Sequence, residues 1–432
     1  LISPNQLLYW LVLLTGVYVS IIPLMIKPVL SLSFKIFSDQ ELSIFFPSLL
    51  AIFVLFALPI FALGMVSPLA ARIGIEKMDR VGGMIGDLYA FSTIGSLVGT
   101  FLPVLVLVPF IGSKLSFYLF GFLLILLGVL GLRRWYLLFL LLLPLLPNFP
   151  WFQETLSKSV LYRGESSYQY VQVKELSQGG RALFFNEGLG IQSFYSPKQY
   201  LTGLYWDVAN LLPLLYPEGK NFLILGLAGG TSARSLHHFY PHLKLTGVEI
   251  DPEVIRLSRD YFGLDQVPIK IVNTDGRVFL NNSTEKYDFM MVDVFRDGIY
   301  VPFHMTTQEF FTSVKDSLTP KGVLMMNVFS PKREDPLLKL IQDTVSSVFP
   351  HFYTLRMSRG TYLFLASSSP LAFEIPESDQ YPESIYQMAQ QAFPKVKKVK
   401  ADKQGSLSKD DYSLAELLSA KLLFLEKKVN AF

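Results

Sequence analysis

The run from Asn221 to Asp251, NFLILGLAGGTSARSLHHFYPHLKLTGVEID, constrains this chain more than any other stretch. Phe222-Leu223-Ile224-Leu225 is a short apolar run, the pattern of a strand buried on both faces. Gly226, Gly229 and Gly230 follow at once, and Thr231 and Ser232 can then cap a helix reaching Tyr240. A second strand, Lys244 to Val248, ends in Glu249-Ile250-Asp251. Strand, glycine turn, helix and strand make the first unit of a nucleotide-binding α/β fold. The glycines let the backbone turn tightly and approach a ligand closely. An acid at the tip of the second strand can accept both hydroxyls of a ribose.

A βα turn with no ligand would account for the glycines alone. Glu249, however, lies about twenty residues beyond the loop, as dinucleotide binding asks. The last glycine of G-x-G-x-x-G is missing, which argues against NAD. Gly226-Leu227-Ala228-Gly229-Gly230-Thr231 suits the adenosine and sulfonium end of an S-adenosylmethionine-type cofactor better.

The chain has 432 residues, 51% of them hydrophobic, and a mean hydropathy of +0.38. That is too apolar for one soluble domain, and the excess lies before Pro150. The net charge of +3 implies no nucleic-acid partner. The absence of cysteine excludes disulfides, thiolate metal sites and a cysteine nucleophile. His237, His238, His242, His304 and His351 form no ligand pattern with nearby acids, so no metal is expected. The chain begins at Leu1, which reads as a processed or shortened start, and its first apolar run has no basic leader of the signal-peptide kind.

Residues 1–150 read as a multi-span α-helical membrane domain, with the lipid bilayer as its partner. Leu7–Ile26, Ile44–Met65, Val81–Ile111 and Leu115–Leu132 are long and apolar enough to cross a bilayer. Trp135–Phe149, with Pro144 and Pro147, is either a fifth span or an interfacial segment. The stretch 82–100 carries Gly82-x-x-x-Gly86 and Gly95-x-x-x-Gly99 with Ala90, Ser92, Thr93 and Ser96. Such a small-residue face lets helices pack closely, within the domain or against a membrane-protein partner. Asp87 is the one acid there, and a helix-start role suits it as well as a functional one. With five spans the charged loops Arg72–Arg80 and Arg133–Arg134 push the soluble half outward; with four they place it in the cytoplasm. The cytoplasmic supply of nucleotide cofactors favours the second arrangement.

Residues 151–196 read as a small antiparallel β domain, with strands at Ser167–Lys174, Ala182–Phe185 and Gly190–Phe194 and a turn at Asn186-Glu187-Gly188. Residues 197–368 read as a Rossmann-like α/β domain of the class I S-adenosylmethionine-dependent methyltransferase kind. It opens with a helix over Pro197–Leu215 and continues with strands at Ile269–Val272, Phe289–Val292, Val323–Val328 and Leu363–Ala366. Glu249, Asp275 and Asp293 then sit at strand ends, where open α/β sheets bind ligands. Residues 369–432 read as a basic linker with Lys395, Lys397, Lys398 and Lys400, then a helix within Ser413–Val429.

The ordered set SxYQ, GLAGGT, VEIDP, TDGR, YDFMMVD, TTQEFF and LTPKGVLMMN resembles spermidine synthase, an aminopropyltransferase. With the helices ahead of it, Ile44 to Ala366 is similar to the membrane-bound, spermidine-synthase-like proteins of bacteria, which implies the inner membrane. The resemblance implies decarboxylated S-adenosylmethionine, or S-adenosylmethionine, as cofactor and donor. It implies that Gly226, Gly229 and Gly230 approach the cofactor tail, Glu249 holds the ribose and Ile250 packs on adenine. Asp275 and Gly276 would meet the adenine amine, and Gln169 the aminopropyl group. Asp293 or Asp297 would position and deprotonate the attacking amine, and Tyr200 would line its pocket. Each acid also has a plain reading as a strand-end or capping carboxylate.

Departures from the family cluster at the acceptor. Soluble spermidine synthases carry an aspartate in a GGGDGG loop; this loop has no acid. Pro197, Lys198 and Gln199 stand where they carry an acidic pair, and Asp293-Val294-Phe295-Arg296-Asp297-Gly298 replaces D-S-S-D-P. A polyamine needs several carboxylates, so these changes point to a different acceptor. A catalytically degenerate accessory subunit of a membrane complex is the alternative.

Overall fold

The computed structural model describes residues 3–36, 45–75, 81–148, 159–186, 190–294, 302–330, 335–357, 360–375, 377, 381–399, 405–415 and 418. The candidate Asp297, Arg296 beside it, most of the 186–188 turn, the charged 76–80 segment, Lys400 and nearly all of 413–429 lie outside those residues. The chain divides into two compact units, Leu1–Ser157 and Lys158–Phe432.

The first unit is helical: α1 (Pro4–Ile36), α2 (Phe45–Gly64), α3 (Val66–Ile75), α4 (Val81–Leu102) and α5 (Val108–Leu132), then a tightly wound segment Trp135–Asn148. Three described apolar stretches are long enough to cross a membrane by length and composition: Pro4–Ile26, Phe46–Gly74 and Ile85–Leu132. The last is broken by a π-helical turn at Pro103–Leu107 and by Gly112, whose φ of 79° is not helical. It therefore holds two helices, where the sequence predicts a third and a fourth span.

Close helix contact falls elsewhere than expected. A side chain at Gly128 would run into the backbone of Leu13, and one at Gly16 into that of Ile125, so α1 and α5 meet through these glycines. In α4, by contrast, no heavy atom lies within 4 Å of where a Cβ would stand on Gly82, Gly83, Gly86, Gly95 or Gly99. The small-residue face is unused among the described residues of this unit.

The second unit holds two sheets. The first is a four-stranded antiparallel meander, β1 (Val160–Glu165), β2 (Tyr170–Glu175), β3 (Arg181–Phe185) and β4 (Ile191–Tyr195), one strand more than expected. It shares a core with the α/β part: Val171, Val173, Leu183 and Phe185 pack on Val254, Leu257 and Phe262. Burying such side chains contributes roughly 1.5–3 kcal/mol each.

The second sheet is built from β5 (Asn221–Leu225), β6 (Lys244–Glu249), β7 (Ile269–Asn273), β8 (Tyr287–Val292), β9 (Leu318–Phe329), β10 (His351–Arg356), β11 (Thr361–Ser367) and β12 (Lys397–Lys398). Its order is β12-β10-β11-β9-β8-β5-β6-β7. The five strands from β9 to β7 are parallel, and β10, β11 and β12 add antiparallel pairs. From β5 the chain winds to β6 and β7 on one side, then to β8 and β9 on the other. The switch point is between β5 and β8, where such sheets open a crevice at their carboxyl ends.

Two expectations fail here for physical reasons. Pro197–Leu215 is not one helix: only Tyr205–Leu211 and α6 (Leu212–Leu215) are helical. Gly203 turns at φ 78°, and the buried Asp207 carboxylate accepts the N–H groups of Thr202 at 2.7 Å and Gly203 at 2.6 Å, holding that turn. The segment after Ser369 is not a separate linker either. Ile385, Ala389 and Ala392 of an amphipathic helix (Glu383–Ala392) are buried in the α/β core, and Lys397 and Lys398 form the edge strand β12.

Candidate functional site

Gly226 follows β5 directly, with φ 86°. Its N–H donates to the Val248 carbonyl at 3.0 Å, and a Cβ would strike the Asp293 carbonyl. No other residue fits this turn without strain. Gly226→Ala is expected to cost about 2–4 kcal/mol, from left-handed backbone strain plus the displaced Asp293 segment. Thermal or denaturant unfolding measures it, and a cost below roughly 1 kcal/mol contradicts the assignment.

Around this turn lies a cavity of about 230 Å³. Its lining brings together Gln169, Gly226, Glu249, Ile250, Asp275, Gly276 and Asp293 from the tips of separate strands and loops. Glu249, 7% exposed, ends β6 and accepts from Ala228 N–H at 2.8 Å and Asp251 N–H at 3.1 Å. Each oxygen keeps capacity for a further donor, which is what a ribose diol supplies. Burial pushes the Glu249 carboxyl up to about 7, although the two N–H groups pull the other way.

Asp275 caps the helix Gly276–Asn282: its Oδ1 accepts from Arg277 N–H at 2.9 Å and Val278 N–H at 3.0 Å. Oδ2 is left facing His304, whose Nε2 is 3.6 Å away. That imidazole, more than any other neighbour, holds Asp275 below the usual carboxylate range. Capping and cavity-lining thus use different oxygens of one carboxylate. Gly276 lies at the same end, with the Met305 methyl 3.2 Å from where its Cβ would be.

Asp293 follows β8 and is held at both oxygens. Tyr205 Oη donates to Oδ2 at 2.9 Å, and Asn327 Nδ2 donates to Oδ1 at 3.1 Å. Burial pushes Asp293 up to about 6, against those two donors. Tyr205 is in turn raised well above its ordinary value, by burial first and then by the Asp293 charge. The Asn327 Oδ1 is buried with no protein partner. Gln169 and Tyr168 reach the cavity on a turn held by Ser166, whose Oγ accepts from both N–H groups and donates to Asp251 Oδ2 at 2.5 Å.

Three sequence-predicted residues stand outside this cavity. Gly229 makes room for Ser193, whose Oγ accepts its N–H at 2.8 Å. Gly230, at φ 78°, is the residue before the helix Thr231–Phe239 and packs on Leu264. The cap expected from Thr231 is absent because its hydroxyl bonds to the Phe194 backbone at 2.9 and 3.0 Å instead. Tyr200 stacks on His238 at 3.7 Å. Tyr205, Asn327 and His304 are the residues that sequence reading missed.

A spermine/spermidine synthase domain matches residues 207–368. A probable polyamine aminopropyl transferase of Bifidobacterium longum is 39% identical over 198 residues, covering 46% of this chain and 44% of that protein. The polyamine aminopropyltransferase of Vibrio vulnificus is 31% identical over 279 residues, covering 60% of this chain and 91% of that protein. This chain belongs to the spermine/spermidine synthase family. Most of the described site therefore falls in the family domain, while Tyr168, Gln169 and Tyr205 precede it. The chain spans less than half the length of the Bifidobacterium relative. A crystal structure of a probable spermidine synthase from Corynebacterium glutamicum has TM-score 0.48 at 20% identity, covering 58% of this chain and 97% of that one.

Proposed function

We propose that this chain is an integral membrane aminopropyltransferase-like enzyme that takes an S-adenosyl donor, preferably decarboxylated S-adenosylmethionine, and transfers its aminopropyl group to an amine. Methyl transfer from S-adenosylmethionine is the variant of the same reading. The observation that carries it is one cavity whose lining gathers Gly226, Glu249 and Asp275 with the doubly held Asp293. Glu249 would hold the ribose hydroxyls, Ile250 the base face, and the free side of Asp275 the adenine amine. The sulfonium donor supplies an electrophilic carbon and a neutral thioether leaving group.

Asp293 is the residue to hold the acceptor ammonium and take its proton, so that the nitrogen lone pair is free. Tyr205 and Asn327 fix the direction of that carboxylate, and positioning of this kind is a large part of the rate. Burial raises Asp293 to about 6, above an ordinary aspartate, which makes it a better base yet leaves it ionised at pH 7. The acceptor is expected to be poorer in positive charge than a polyamine, given Lys198 and the missing acidic pair.

The three apolar stretches of the first unit support membrane integration, with the soluble unit on the cytoplasmic side where nucleotides are. The second reading is an accessory subunit, favoured by the open face of α4. Carbonate-washed membranes should retain the full chain. Calorimetry on the detergent-solubilised chain should show heat with methylthioadenosine. No heat with methylthioadenosine, S-adenosylmethionine or its decarboxylated form would leave the accessory subunit as the better account.

A further inference from the structure

The family domain ends at residue 368, yet a later segment reaches the cavity wall. Residues 405–415 are docked on the α/β unit. Ser408 N–H donates to Thr344 Oγ1 at 3.0 Å, Gln308 N–H donates to the Ser408 carbonyl at 2.8 Å, and Ala415 is buried in the core. Between these anchors Asp410 accepts from Arg277 Nη1 at 2.7 Å, Arg277 Nη2 at 2.5 Å and Thr307 Oγ1 at 2.7 Å. The pair is bidentate, the geometry that fixes a guanidinium in orientation as well as position.

Arg277 does not stop there. Its Nη1 also donates to the carbonyl of His304 at 2.9 Å. His304, with Pro302 and Met305, walls the cavity beside Asp275. Two contacts thus tie this stretch to the C-terminal segment, one through Arg277 at His304 and one at Gln308, three residues past Met305. Arg277 is mostly buried and Asp410 is about half exposed.

We propose that Asp410 is a positioning residue for the purine end of the cavity: through Arg277 it holds the 302–305 wall so that the His304 imidazole stays against Asp275. This rests on the reading that the cavity takes an adenosine. Removing the Asp410 charge frees Arg277 to swing from the His304 carbonyl toward solvent. The wall then loosens where the base would lie.

The test uses the solubilised full chain, its wild type and Asp410→Asn, with methylthioadenosine as probe. Asp410→Asn is expected to weaken the probe by about 5- to 10-fold, with KM for the donor rising likewise and kcat within about twofold. Arg277→Lys, which keeps the charge and loses the fork, should give the same loss. In a His304→Gln background, Asp410→Asn should add less than about twofold, since the two act through one wall. Affinity unchanged in Asp410→Asn, or an equal loss in the His304→Gln background, overturns the proposal.

A readout without ligand separates this from the functional reading. The charged groups facing His304 are Asp275, Arg277 and Asp410. Amide hydrogen exchange at Met305 and Thr306, whose N–H groups bond within this wall, should quicken in Asp410→Asn, because Arg277 no longer holds the His304 carbonyl. If wild type binds no nucleoside, the adenosine reading fails on that result alone. Unchanged exchange at these two amides overturns the linkage whether or not nucleoside binds.

Discussion

Asp293→Asn is expected to lower the rate of group transfer by roughly 10²- to 10⁴-fold, the usual worth of a positioned base. Methylthioadenosine affinity should stay within about twofold, because the residues assigned to ribose and base, Glu249, Ile250 and Asp275, are on other strand tips. The amide is nearly the same shape and can still accept from Tyr205, so the fold has little reason to change. What it cannot do is take a proton. Tyr205→Phe makes a subtler test of the same group. It removes a donor that pulls the Asp293 value down, so Asp293 should titrate above its present value of about 6. The rising limb of rate against pH should then shift to higher pH, with a loss of about tenfold near pH 7. Single-turnover rates across pH 5 to 9 measure both. Asp293→Asn retaining more than about a tenth of the rate would remove it from the chemistry.

The strand-tip acids were legible because each ends an apolar run. Glu249, Asp275 and Asp293 needed only the rule that open α/β sheets bind ligands at their carboxyl ends. Gly226 was legible for the same reason. Gly229 and Gly230 were not, because what excludes a side chain there is distant in sequence: Ser193 on β4 and Leu264 after the next helix. Two adjacent glycines look alike on paper, whether they face a ligand or a neighbouring strand.

Tyr205 was hidden by a helical pattern that ran through it. The turn at Gly203 depends on a carboxylate collecting N–H groups, and the partner of Tyr205, Asp293, comes 88 residues later. The lysines after Pro394 looked like a solvated run. On an exposed sheet edge the same charges discourage pairing with another chain, and the short strand they form completes the sheet. The docking of Asp410 on Arg277 spans 133 residues and leaves no local trace.

Glu249 should bind nucleoside and destabilise the empty protein at once, and pH separates the two effects. Its folded value of about 7 lies above the ordinary 4.5 because burial disfavours the charge. Below pH 4.5 both folded and unfolded chains hold the proton, so nothing is lost. Between about 4.5 and 7 only the folded chain holds it, and stability falls as pH rises, by on the order of 3 kcal/mol in all. Binding runs the opposite way. A ribose diol donates to the ionised carboxylate, so methylthioadenosine affinity should weaken by up to about tenfold per unit as pH drops below 7. Glu249→Gln keeps the volume and removes the charge. It should weaken methylthioadenosine by about 100-fold, the worth of two hydrogen bonds to a charged group, and flatten both pH dependences. Calorimetric Kd and Tm at pH 5, 6, 7 and 8 for the two proteins test this together. If wild-type affinity is level across that range, or rises as pH falls, the carboxylate of Glu249 is not what holds the ribose.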